Sequence, residues 1–132
     1  MLRKYRMGVR GTRTVLEIVL CIDVLVDQDA LKDTLVSAVN IFHARMAQGD
    51  HLVDPDPWFA PVVEGRDCGI GIMSGAEQTT MTWQVGSDAL LGLFKFYTTV
   101  KIYTSSKTIV LDQTLPESQW HVGVMVLGPL EI

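Results

Sequence analysis

From Thr14 to Val26 the residues Leu16, Ile18, Leu20, Ile22, Val24 and Val26 recur at every second position. That period fits an extended strand whose branched apolar side chains all leave on one face. The intervening positions, Val15, Glu17, Val19, Cys21, Asp23 and Leu25, are too apolar for free solvent and too charged for a closed core. The spacing predicts a strand buried on one side and partly covered on the other by a further element or subunit. At about 3.3 Å per residue it would run past roughly 40 Å, so it either bends at a bulge or projects beyond the domain.

A helix is expected next. Asp27 or Asp29 can cap it, Leu31, Leu35, Ala38, Val39, Phe42 and Met46 follow three and four apart, and Gly49 supplies a stop. Pro55, Pro57 and Pro61 then argue for a long ordered loop over 50–65. Strands are expected at Cys68–Met73, Thr79–Val85, Leu93–Tyr103, Lys107–Gln113 and Trp120–Leu127. Thr104-Ser105-Ser106 and Pro116-Glu117-Ser118 read as turns between antiparallel neighbours. Asp88–Leu93 offers a short helical turn as the alternative, because Ala89, Leu90 and Leu91 have no strand preference. The expected fold class is α+β: a predominantly antiparallel sheet of about six strands against one amphipathic helix, in strand-helix-strands order. Residues 1–13 are expected as a basic arm and 14–132 as a single α+β domain.

Charge is unevenly placed. Arg3, Lys4, Arg6, Arg10 and Arg13 fall in the first thirteen residues with no acid among them, which leaves six basic residues against fifteen acids in the remainder. Such an arm can contact a polyanion such as nucleic acid, an anionic surface, or the acidic body of a neighbouring copy. An Arg-rich, acid-free start also suits a mitochondrial presequence, though this one is short and lacks serine. Glu17 and Asp23 break the one apolar stretch that could serve as a secretory signal, and no segment reaches the roughly 20 apolar residues of a membrane span. An intracellular protein is expected, with Cys21 and Cys68 both reduced.

Chemistry is thinly represented. The chain has no Gly-x-Ser-x-Gly, no P-loop lysine, no Cys-x-x-Cys and no His-Glu-x-x-His. Gly69-Ile70-Gly71-Ile72-Met73-Ser74-Gly75 lacks the following helix that a phosphate loop requires. His51 with Asp54 and Asp56 gathers metal donors, but at a spacing matching neither a calcium loop nor a zinc site. His43 reads as a residue favouring the C-terminal end of its helix. If the chain is an enzyme, Asp23, Glu17 and His121 are the strand-borne groups expected to face a cavity as acid and base. Lys95, Tyr97, Thr99, Lys101 and Tyr103 alternate with Phe94, Phe96 and Val100, so a stacking face for RNA is weighed against an ordinary half-buried strand. No cofactor is expected.

With apolar residues at 48% and charged residues at 20%, apolar surface is available beyond what a small core needs. The function expected first is that of a non-enzymatic, self-assembling structural subunit, a homo-oligomer of the kind that builds a virus or phage particle as capsid, tail or matrix component. Its basic arm would make subunit or polyanion contacts. The alternative is a small-molecule-binding α+β barrel, an isomerase, cyclase or carrier, with Met73, Met81, Trp83, Phe94, Phe96 and Met125 around an apolar pocket.

Overall fold

The computed structural model describes residues 1–49, 58–59, 68–74 and 81–129. It is an α+β structure in two layers: one antiparallel sheet with both helices packed on the same face. In chain order the elements are β1 (Leu2–Gly8), β2 (Thr14–Leu25), α1 (Gln28–Met46), β3 (Trp58–Phe59), β4 (Gly69–Ser74), α2 (Trp83–Val100), β5 (Thr104–Asp112) and β6 (His121–Gly128). The strands lie in the order β1-β2-β5-β6-β4-β3. Five of them form the sheet proper, and β3 adds two residues beside β4, Trp58 opposite Ile72 and Phe59 opposite Gly71. The rest of the expected proline-rich loop lies outside the described residues.

The basic segment, expected as an arm, forms edge strand β1, paired along its whole length with β2 from Leu2 opposite Cys21 to Gly8 opposite Val15. A tight turn joins the two. Gly11 sits at φ +79, a left-handed conformation that costs glycine little, and the Thr12 hydroxyl donates to the Val9 carbonyl at 2.8 Å. Tyr5 leaves β1 toward the helices and meets Phe96 edge-on, ring centroids 5.0 Å apart. Strand β2 is as its alternation predicts, with Leu16, Ile18 and Leu20 fully buried. It resolves its excess length by bending, since the register against β5 shifts between Cys21 and Leu25.

Asp27 caps α1, its carboxylate accepting from the Ala30 amide at 2.9 Å. Leu31, Leu35, Ala38 and Phe42 then pack inward. The second helix corrects the expectation of one. Trp83–Val100 is helical throughout, where strands were expected at Thr79–Val85 and Leu93–Tyr103. The Thr82 hydroxyl caps it by accepting from the Val85 amide at 3.2 Å, and Gly86, Ala89, Leu90, Leu93, Phe96 and Tyr97 are buried at helical spacing. Tertiary packing overrides the strand preference of its aromatic and Thr-Thr-Val residues. The stacking face goes with the strand: Tyr97 is buried while Lys95 and Thr99 are exposed.

Lys101 ends α2 in a left-handed conformation. Thr104-Ser105-Ser106, expected as a turn, instead begins central strand β5. The turn expected around Pro116 is present, as a single 3-10 turn over Glu117–Gln119 between antiparallel β5 and β6.

Candidate functional site

Both helices cover the same face, and among the described residues no element covers the other, the open face of the sheet. Register defines its surface row by row. Lys4, Val19, Lys107, Val126 and Gly71 stand side by side across β1, β2, β5, β6 and β4, and Arg6, Glu17, Ile109, Val124 and Met73 form the next row. Leu2, Cys21, Ser105, Gly128 and Gly69 flank these rows on one side, and Val15 beside Leu111 continues them on the other. Val126, on internal strand β6, is 46% exposed, and Met73, on β4 toward the edge, is 40% exposed, an unusual exposure for large apolar residues of a sheet face.

Charge on this face is polarised. Lys4 and Arg6 lie at the β1 edge, Lys107 lies inside, and Glu17 accepts a hydrogen bond from Arg6 at 3.1 Å. The rows end toward β4 and β6 without a charge, on Met73, Val124, Val126 and three glycines. The Arg6–Glu17 pair is largely exposed and contributes under about 1 kcal/mol.

A second concavity lies in the helix layer, where the β1–β2 turn meets α2. It encloses about 490 Å³ among Met7, Val9, Arg10, Leu91, Lys95, Phe96 and neighbouring residues. Gly92 makes it possible: a Cβ there would stand 2.7 Å from Val9 Cγ2, so only glycine lets the turn approach the helix this closely.

The candidate residues of the sequence are scattered over these features. Arg3 and Lys4 are exposed on β1, Arg10 lines the concavity, and Arg13 donates to the Gln113 carbonyl at 3.2 Å. Asp23 is exposed beyond the bend of β2 and pairs with the Met1 ammonium. His121 is exposed as well. The register of β6 slips between Val110 and Leu111, pairing His121 with Leu111, and that extra residue inverts the alternation that grouped His121 with Met125. Asp23, Glu17 and His121 therefore line no common cavity among the described residues. His51, Asp54 and Asp56 lie outside them, and no cluster of three or more metal-ligating side chains occurs among those described. Of the residues expected around a pocket, Met81 and Met125 are fully buried core, Met73 is on the open face, and Phe96 alone lines the concavity.

Between α2 and β5 the core is polar. Thr104, Ser106 and Thr108 face inward from β5, and the Tyr97 hydroxyl donates to the Thr104 carbonyl at 2.8 Å. Burial holds the Tyr97 phenol well above its ordinary range, the Ser106 hydroxyl acting in the opposite sense. A phenol that ionises less readily folded than unfolded stabilises the fold fully below the unfolded value near 10, and that contribution is lost as pH climbs toward the folded one. Above pH 10 the unfolding free energy should fall about 1.4 kcal/mol per pH unit more steeply in the native protein than in Tyr97→Phe. Urea titrations of both between pH 9 and 11.5 check this; parallel curves would contradict it.

Compared with family models, with curated proteins and with solved structures, the chain shows no match. No helix among the described residues is long and apolar enough to cross a membrane.

Proposed function

We propose that this protein is a non-enzymatic assembly subunit that docks the open face of its sheet on the same face of a second copy. The supporting observation is the group of Val15, Val19, Ile109, Val124, Val126 and Met73 on the side without helices, interrupted by Lys107 and Glu17 alone. Its charge pattern favours self-docking in one orientation. A twofold axis parallel to the strands lays β1 of each copy over β4 of the other, so Lys4 and Arg6 extend over glycine backbone and stay wet at the rim, while the two Lys107 side chains of central β5 meet at the axis and reach along the strands toward water. A twofold across the strands would stack cation on cation and is disfavoured.

Magnitude sets the kind of assembly. Five strands about 4.8 Å apart and roughly seven residues long present roughly 450 Å² in projection per copy. Two such faces bury about 900 Å² before corrugation is added, close to the threshold of about 1,000 Å² for a specific interface. The dimer should dissociate in the micromolar range, and further contacts along the free edge of β1 would be needed for a larger particle of the capsid, tail or matrix type.

Cys21 lies on the open face, whereas Cys68 is fully buried in the core. The single reactive thiol therefore reports docking. Alkylation of Cys21 by iodoacetamide should slow at least fivefold between 1 and 200 µM protein. A rate independent of concentration would count against face-to-face docking.

A further inference from the structure

We propose that the concavity between the β1–β2 turn and α2 binds an amphipathic monoanion, an aliphatic chain ending in a carboxylate. Its volume of about 490 Å³ falls in the range of about 300–1,000 Å³ typical of small-molecule sites. Met7, Val9, Leu91 and Phe96 give it apolar walls, and Leu91 remains 46% exposed. An aliphatic chain would remove that surface from water.

Charge selects the sign of the head group. Arg10 and Lys95 both line the concavity, both are exposed, and neither enters an ion pair among the described residues. The one acid among the described residues that line it, Asp88, accepts from the Gln84 side-chain amide at 3.0 Å. Two cations against one engaged carboxylate leave a surplus of one positive charge, which suits a monoanion better than a dianion and repels a cation. A guanidinium offers a carboxylate two parallel donors. The site is independent of the proposed docking surface: it lies in the helix layer, and the apolar field lies on the far face of the sheet.

The test is calorimetric titration of the full chain with decanoate, decyltrimethylammonium and hexanoate, with amide chemical shifts followed in parallel. Decanoate should bind saturably at one site and shift the amides of Val9 and Gly92. Hexanoate should bind roughly two-hundredfold more weakly, at about 0.8 kcal/mol for each of four methylenes. Arg10→Glu combined with Lys95→Glu, two exposed substitutions, should weaken decanoate at least tenfold and strengthen decyltrimethylammonium. Binding of both amphiphiles with equal affinity, an unchanged decanoate affinity in the double variant, or shifts centred on Ile109 and Val126 would each overturn the assignment. So would the absence of saturable binding at millimolar decanoate.

Discussion

Replacing Gly86 with alanine is expected to cost about 3 kcal/mol of folding stability, a large effect for one methyl group on a helix. Alanine ordinarily favours a helix over glycine by about 1 kcal/mol, so the expected sign is the reverse of propensity. A Cβ at position 86 would lie 2.2 Å from Phe42 Cε2, and Phe42 has no room to yield. Its side chain is fully buried and its ring meets Trp83 edge-on, with centroids 4.7 Å apart. Accommodating the methyl group means parting α1 from α2 or forcing the ring off its rotamer, and overpacking of this kind costs about 1–3 kcal/mol or more before the lost aromatic contact is added. Phe42→Leu alone should also destabilise, yet combined with Gly86→Ala it should recover at least 1 kcal/mol of the summed loss. Urea unfolding of the four proteins gives that coupling directly; additive losses would show that the helices do not meet there.

Val126→Asp should lower the self-association constant more than a hundredfold while leaving the monomer folded. Val126 is 46% exposed on the face away from the helices, so a carboxylate there remains hydrated in the free chain. In the proposed dimer it would be covered by the second sheet beside its cross-strand neighbour Lys107, and burying an ion pair in place of an apolar contact costs about 1–4 kcal/mol. A twofold interface incurs that cost twice. A hundredfold change needs only about 2.7 kcal/mol, toward the lower end of that doubled cost. Val126→Thr, nearly isosteric, should weaken association far less. Sedimentation velocity over a concentration series, with circular dichroism as the control for folding, distinguishes the two; equal association of Val126→Asp and the native chain would exclude the open face as the contact.

What could be read from sequence depended on how many signals agreed at one place. In β2 and α1, period, caps and stops all point the same way, and both elements stand as expected. The odd-numbered face of β2, from Val15 to Cys21, indicated partial cover, and it lies on the open face beside edge strand β1. Strand β1 was hidden by its charges. Arg3, Lys4 and Arg6 are what an edge strand carries to prevent unwanted pairing, and the same residues read as an arm. Helix α2 was hidden by composition: Phe94, Phe96, Tyr97 and the Thr98-Thr99-Val100 run favour a strand, while Gly86, Leu90, Leu93 and Tyr97 already lay three and four apart. Missing α2 meant missing the concavity, because Leu91, Gly92 and Lys95 meet Val9 and Arg10 only when the helix crosses the turn. His121 was misplaced by a single extra residue in β6, which no alternation rule anticipates.

The central claim is that two copies meet through their sheets, and sedimentation equilibrium of the native chain from about 1 to 200 µM tests it most directly. A mass rising from monomer to twice the monomer with a micromolar dissociation constant, and held at monomer by Val126→Asp, is the predicted result. A monomer throughout that range, or a dimer indifferent to Val126→Asp, would contradict it.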